Sequence, residues 1–386
     1  MLHELLNVAP MKRAPDSMIK VRSFSKGDLR EVSRLWLKVF APAQCTLPPT
    51  FESYFEDVFL ANPWQGHGLP SLVCEDRQGA VVGFIGVLPR RMRFCGEPLT
   101  VAVASQFMID PDRALPFASV ALLRRFFSGK QDLSFSDGAN RQSLEMWAAA
   151  GGSAALLYSS VWTRVLRPVE YAARLCKRRL LSRLPMRAVQ PICRPLDAAA
   201  ARFSTSPYSL PATLHTTIEE RVDAAVLLDC VRKFSVCRAL QPEYDLPSFR
   251  WLLDKAAEQQ THGDLQTAVV KSPRGETLGW YVCYVKPGGI GQVLQLGGAP
   301  RHIDRVLEHL FHRAHKHGAV AISGQLDPLF AHSLARAHCS FTWSSGVIIQ
   351  SRNERLLNAI HRGDAFLSRL EGEWWMRFCD LYSEET

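Results

Sequence analysis

Apolar positions in the first half of the chain alternate between strand and helix spacings. Ile19 to Phe24 reads as a short strand. Ser25 and Asp28 then cap a stretch in which Leu29, Val32, Leu35, Trp36 and Val39 recur every 3.6 residues, which predicts an amphipathic helix through Phe40. Pro48-Pro49-Thr50 introduces a second helix over Phe51 to Leu60. Apolar runs at Ser71–Glu75, Ala80–Leu88 and Leu99–Ile109, parted by turn signals at Gln78-Gly79 and Gly96-Glu97-Pro98, predict an antiparallel meander. A helix over Ala118–Phe127, a strand over Asp132–Ser136, a helix over Asn140–Ala150 and a strand over Ala154–Val165 complete a first α/β unit.

A similar order partly repeats from Pro242. Strands are predicted at Leu265–Lys271, Leu278–Val285 and Gln292–Leu296, a helix at Ile303–Lys316 and a strand at Ala319–Ser323. A helix at Pro328–Ala337 and an apolar strand at Phe341–Gln350 follow. The element order thus reads as an internal duplication. Between the halves lie a basic stretch (Arg174, Lys177, Arg178, Arg179, Arg183, Arg187) and a Pro/Ser/Thr-rich run from Arg202 to Thr217. The expected organisation is a lead-in over 1–17, a first domain over 18–168, a basic connector over 169–240 and a second domain over 241–386.

Composition narrows the class. A chain of 386 residues, 47% apolar and 22% charged, has length for two cores. No window reaches the roughly 18 apolar residues of a membrane span, and Met1 to Asp16 lacks the basic n-region of a signal peptide. Ten cysteines without a CxxC pair read as buried thiols in a reducing compartment, so a cytoplasmic location is expected. A net charge of +9 suits an anionic partner such as a CoA, a nucleotide sugar, a lipid headgroup or a nucleic acid.

Two segments carry motif-level information. In Ile109-Asp-Pro-Asp-Arg-Ala-Leu-Pro-Phe-Ala118 a strand runs into a helix N-terminus, where free N–H groups and the helix dipole favour an anion. In Asn140-Arg-Gln-Ser-Leu-Glu-Met-Trp-Ala-Ala-Ala-Gly151 an N-cap residue opens a helix that ends in glycine. Together with the element order these segments resemble the GNAT superfamily of N-acetyltransferases in tandem. Multi-GNAT acyltransferases associated with bacterial surface polysaccharides, and the FemABX group, are the members they resemble. The resemblance implies an α/β fold of two units, each a mostly antiparallel mixed sheet flanked by helices.

It also implies acetyl-CoA or another acyl-CoA as co-substrate, with no metal. By motif position the donor would lie against Met108, Ile109, Arg113, Phe117, Ala118 and Asn140. Pro116 stands at the first glycine of the family's pyrophosphate loop and has no N–H to donate. Trp147 stands where the family has the tyrosine that protonates the leaving thiolate, and an indole N–H has no useful acidity. For deprotonating the acceptor, Glu56 on the second helix and Ser105 on the strand before the loop are the candidates; Glu56 has a bland alternative as part of a solvated face, and Ser105, like its neighbour Gln106, as a ladder residue without chemistry.

The reading this supports is an acyltransferase moving an acyl group, by the resemblance acetyl, to an amine or hydroxyl acceptor, by analogy an amino sugar of a surface polysaccharide. The alternatives are a FemABX-like transferase using aminoacyl-tRNA and a non-catalytic binding protein with the same fold. Gly297-Gly298 before the second unit's helix reads as a turn or a phosphate cradle. His302, His309, His312, His315 and His317 read as a solvated basic face rather than a metal site. Val169 to Leu184 reads as a solvated linker helix that could also lie on an anionic membrane surface or on nucleic acid, and Glu371 to Arg377 as a packing anchor or a sugar-stacking surface.

Overall fold

The computed structural model describes residues 19–42, 47, 49–64, 68–113, 117–180, 191, 193, 195–199, 208, 217–220, 222–343 and 346–378. The lead-in, Pro116 and most of the Pro/Ser/Thr-rich run lie outside the described residues. The chain forms two compact units. Unit 1 takes the chain up to Ala155 together with 345–358 and the residues from Gly372, and unit 2 takes Leu156–Ser344 and Ala359–Glu371.

In unit 1 the strands lie side by side in the order Ile19–Ser23, Leu72–Asp76, Val81–Phe94, Glu97–Ile109, Leu133–Ala139, Gly346–Gln350 and Ser153–Ala154. Neighbours run antiparallel except Glu97–Ile109 and Leu133–Ala139, which are parallel and paired only over Val101–Val103 and Leu133–Phe135. One face, with Cys74, Ile85, Val87, Ala102 and Ala104, packs against Ala118, Leu122 and Phe126 of the helix Ala118–Phe127 and Trp147 of the helix Arg141–Ala149. The other face is aromatic. Phe84 meets Phe24, Phe55 and Phe59, and Trp36 of the helix Leu29–Phe40 meets Phe51 of the helix Phe51–Phe59.

The first helix is locked at its start as the sequence suggests. Asp28 accepts from the Ser25 amide and hydroxyl, each at 2.8 Å, and from Arg22 Nη1 at 2.7 Å and Nη2 at 2.6 Å. The Arg22 guanidinium, with help from Ser25, holds the Asp28 carboxyl below its ordinary value. A depressed carboxyl contributes stability that is present above the ordinary aspartate range and lost as pH falls through its folded value. Asp28→Asn is therefore expected to cost about 1–2 kcal/mol in a urea titration at neutral pH, and progressively less as pH is lowered below about 4.

In unit 2 the order is Ser340–Trp343, Ser160–Val165, Ala321–Gln325, Ile290–Gly298, Thr277–Val285, Asp264–Lys271 and Thr217–Glu220. Its one parallel pair, Ile290–Gly298 with Ala321–Gln325, is joined over Ile290–Val293 and Ala321–Gly324. The helix Ile303–Lys316 lays Val306, Leu307, Leu310 and Phe311 on the face that carries Tyr281 and Cys283. Trp280 points to the opposite face, where it stacks on Phe234 of the helix Ala224–Ser235.

Three expectations change. The predicted strands 154–165 and 341–350 are each divided, and Ser160–Val165 joins unit 2's sheet whereas Gly346–Gln350 joins unit 1's. Each unit therefore contains a strand from the other half of the sequence. The expected connector is also built into unit 2: the helix Pro168–Leu180 opens with the Val169 and Glu170 amides donating to buried Asp197 at 2.7 and 3.2 Å, and Thr217–Glu220 pairs with Asp264–Lys271. Finally, the histidine helix is not solvated throughout. His309 is fully buried, with Nδ1 3.1 Å from the Tyr281 hydroxyl, and burial holds the partly buried His315 imidazole below its ordinary value. No group of His, Cys, Asp and Glu suited to a metal ion occurs among the described residues, and no described helix is long and apolar enough to cross a membrane.

Candidate functional site

The site begins where unit 1's two parallel strands part. Their last paired residues are Val103 and Phe135. Beyond Val103 the first strand also changes register against its other neighbour: Ser105 lies opposite Gly86, but Met108 lies opposite Phe84. Residues 106 and 107 therefore oppose a single residue, Ile85. Gln106 absorbs this bulge with φ +51°, left-handed backbone that a non-glycine residue adopts only where the surroundings impose it.

The bulge changes what the strand presents to the gap. Directly opposed residues of an antiparallel pair share a face, so Ser105 shares that of Gly86, where a side chain would strike the ring of Phe59. Ser105 and Gln106 are 1% and 5% exposed, and neither Ser105 Oγ nor Gln106 Nε2 has a hydrogen-bond partner among the described residues. A buried polar atom costs free energy unless it is paired, so two at one bulge beside a gap call for a ligand or water.

The second strand brings a different chemistry. Ser136, the first residue past the last paired position, donates its hydroxyl to Glu373 Oε1 at 2.5 Å. Asp137 Oδ1 accepts the Glu373 and Trp374 amides at 2.6 and 3.0 Å. Arg377 Nη2 reaches Glu373 Oε1 at 3.0 Å and also donates to the Gly138 carbonyl. Gly372 is required here, since a Cβ would enter the Asp137 carboxylate. The outcome is a buried carboxylate, Glu373, held against the strand end where the gap opens.

The residues singled out from the sequence fall in three places. Ser105, Met108 and Ile109 lie on the bulged strand. Met108 is buried and Ile109 packs toward the helix Ala118–Phe127, so both act as walls. Phe117 is the N-cap of that helix and 40% exposed, Ala118 is fully buried, and Arg113 pairs with Asp76. Nearby Asp110 and Asp112 share Lys38, at 3.0 and 3.2 Å. Asn140 and Glu56 stand apart from these groups in role. Asn140 Oδ1 caps its helix by accepting the Ser143 amide at 2.9 Å, and Glu56 forms an exposed ion pair with Lys26 at 2.6 Å.

Trp147 is a core residue, 2% exposed, with its ring edge-on to Phe127 at 4.8 Å. The sequence reading set Gln106 beside Ser105 as a ladder residue and missed Ser136, Asp137 and Glu373. One signal was available: an acidic residue directly before Trp374-Trp375, in a run the structure buries, needs a hydrogen-bond partner.

No family model matches the sequence, and no curated protein matches it. Solved structures do resemble it. A conserved protein of unknown function from Enterococcus faecalis V583, designated a probable N-acyltransferase, aligns over 86% of this chain and 72% of its own, with a TM-score of 0.55 and 12% identity. A GCN5-related N-acetyltransferase from Kribbella flavida aligns over 86% and 70%, with a TM-score of 0.52 and 11% identity. Another from Anabaena variabilis aligns over 87% and 73%, with a TM-score of 0.52 and 12% identity. At such identities the likeness is one of fold, here two mixed sheets flanked by helices.

Proposed function

We propose that unit 1 is an acyl-CoA-dependent acyltransferase, with the donor in the gap between Glu97–Ile109 and Leu133–Ala139. The observation that carries this reading is the bulge at Gln106, where the buried Ser105 hydroxyl and the buried Gln106 carboxamide nitrogen lack partners among the described residues beside parting parallel strands. A pantetheine chain has amides and a thioester carbonyl that would meet them, so the residues fit the co-substrate. The Phe117 and Ala118 amides at a helix N-terminus, with Arg113, are the groups for the pyrophosphate. Arg113 is already paired with Asp76, which would compete with a pyrophosphate for it, so binding rests more on the gap than on the loop.

In the reaction the acceptor's nitrogen or oxygen attacks the thioester carbonyl. A carbon–nitrogen or carbon–oxygen bond forms, the carbon–sulfur bond breaks, and CoA thiolate leaves. The acceptor must lose a proton, and we assign that role to the Glu373 carboxylate, which Ser136 holds just past the last parallel pair, in preference to Glu56, the exposed partner of Lys26. Trp147 is packed in the core and supplies no proton, so the thiolate leaves protonated by solvent or by the proton that Glu373 collects. An amine acceptor, such as an amino sugar, suits a buried carboxylate best.

Calorimetric titration of the full chain with acetyl-CoA and longer acyl-CoAs tests the donor site. Saturable binding is expected, weakened about fivefold by Gln106→Leu, the loss of about one hydrogen bond. The variant should melt at the wild-type temperature, because the carboxamide nitrogen has no partner in the protein to lose. Absence of binding at millimolar acyl-CoA would retire the proposal.

A further inference from the structure

Unit 2 repeats the parting strands, but with a different outcome. Val293 and Gly324 are its last parallel pair. Leu294 is the bulge residue of its strand, skipped where Cys283 pairs with Val293 and Val282 with Gln295. Its carbonyl is taken: the Leu370 amide donates to it at 3.1 Å. Phe366, Leu367, Ser368 and Arg369 line the cleft at this point together with Trp162 and Phe330, and the space left is about 30 Å³, little more than room for a water molecule.

The segment is fastened at both ends. At its start Ala365 exchanges hydrogen bonds with the Tyr158 hydroxyl at 2.7 and 3.0 Å, and the Phe366 amide donates to the Leu240 carbonyl at 2.7 Å. At its end the buried Glu371 carboxylate accepts from the Ser368 amide at 2.7 Å, the Ser368 hydroxyl at 2.6 Å, Gln295 Nε2 at 3.0 Å and the Tyr244 hydroxyl. Arg369 Nη1 donates to Gln292 Oε1 at 2.6 Å. Gln292 and Gln295 both belong to the parting strand, so the segment is bound to the strand that a pantetheine chain would need.

We infer that Ala365–Glu371 is a built-in occupant of unit 2's cleft, a strap that satisfies its bulge carbonyl and closes it to a donor. Whereas unit 1's bulge leaves polar atoms without partners, unit 2's is filled by its own chain. Resting on the donor site proposed for unit 1, the consequence is one acyl-CoA per chain despite two parting-strand clefts.

The experiment is a calorimetric titration of the full chain with acetyl-CoA, run beside residue-resolved hydrogen exchange with and without that ligand. The expected result is one equivalent, weakened by Gln106→Leu, with the Phe366 and Leu370 amides exchanging slowly and at equal rates in both states. Two equivalents, or faster exchange at Leu370 when acetyl-CoA is added, would overturn the strap. If no acetyl-CoA binds, the donor site in unit 1 fails. The strap is then judged on the free chain alone: slow exchange at Phe366 and Leu370 supports it, and fast exchange overturns it.

Discussion

A chain truncated after Glu371 is expected to lose cooperative folding of unit 1. The residues removed supply buried Trp375 and Met376, and the ring of Phe378 lies 4.8 Å from Phe51 and 5.4 Å from Trp36 and Tyr54. Deleting a large buried side chain costs about 3–5 kcal/mol, and a domain's whole stability is about 5–15 kcal/mol, so losing two of them together with the half-buried Phe378 leaves little margin. The polar side adds to this. Without the segment, buried Asp137 loses the Glu373 and Trp374 amides, and the Tyr54 hydroxyl loses the Met376 carbonyl. Circular dichroism melting and urea titration should show a lost or much earlier transition. Asp137→Ala in the full chain is the milder version, at about 2–4 kcal/mol for two orphaned amides. An unchanged melt of the truncated chain would mean that these aromatics only lie on a surface, which would revive a sugar-stacking role for them.

That result bears on how much of the molecule can be read from its sequence. Helices with a strong 3.6-residue period and a local start signal, such as Leu29–Phe40 and Ile303–Lys316, were legible within a residue, because both period and cap are local. The meander strands were legible in number and order, but the second runs on to Phe94, six residues past its expected end at Leu88, through the polar Arg90, Arg91 and Arg93. What was not legible is the sheet to which a strand belongs. The runs 154–165 and 341–350 are apolar nearly throughout, and burial on either sheet yields the same pattern, so periodicity gives no sign that the chain leaves one sheet for the other within them.

The site was half legible for the same reason. Ser105, Met108 and Ile109 lie on the strand that carries the bulge, where motif spacing put them, whereas Glu56 was chosen as an acid on a nearby helix and is an exposed partner of Lys26. Gln106 read no differently from a ladder residue because the bulge it occupies is a mismatch between two strands that neither strand records alone. Glu373 lies 237 residues from Ser136, and only the fold brings them together. Asn140 and Trp147 match family spacing, yet the structure gives them a cap and a core position, jobs that any helix at that point would need done.

Glu371→Ala should be the most damaging single change in unit 2. It leaves the Tyr244 hydroxyl, Gln295 Nε2 and the Ser368 amide without their acceptor in the interior, at about 1–3 kcal/mol per buried donor and about 3–5 kcal/mol in total after relaxation. The charge itself works in the other direction. Burial pushes the Glu371 carboxyl above its ordinary value of 4.5, more than its hydrogen bonds from Ser368 and Tyr244 pull it down. With a raised folded value, the native state holds the proton more tightly than the unfolded chain. Stability from this group is therefore complete below the ordinary glutamate range and declines as pH rises through the folded value. Glu371→Gln cannot ionise, so urea titrations of it and of the wild type from pH 4 to 8 should show the variant gaining relative stability with rising pH, even if it is the weaker protein at pH 4. A constant difference across that range would mean that the carboxylate keeps its charge at no cost, and that the Ser368, Gln295 and Tyr244 donors fully replace the water it lost.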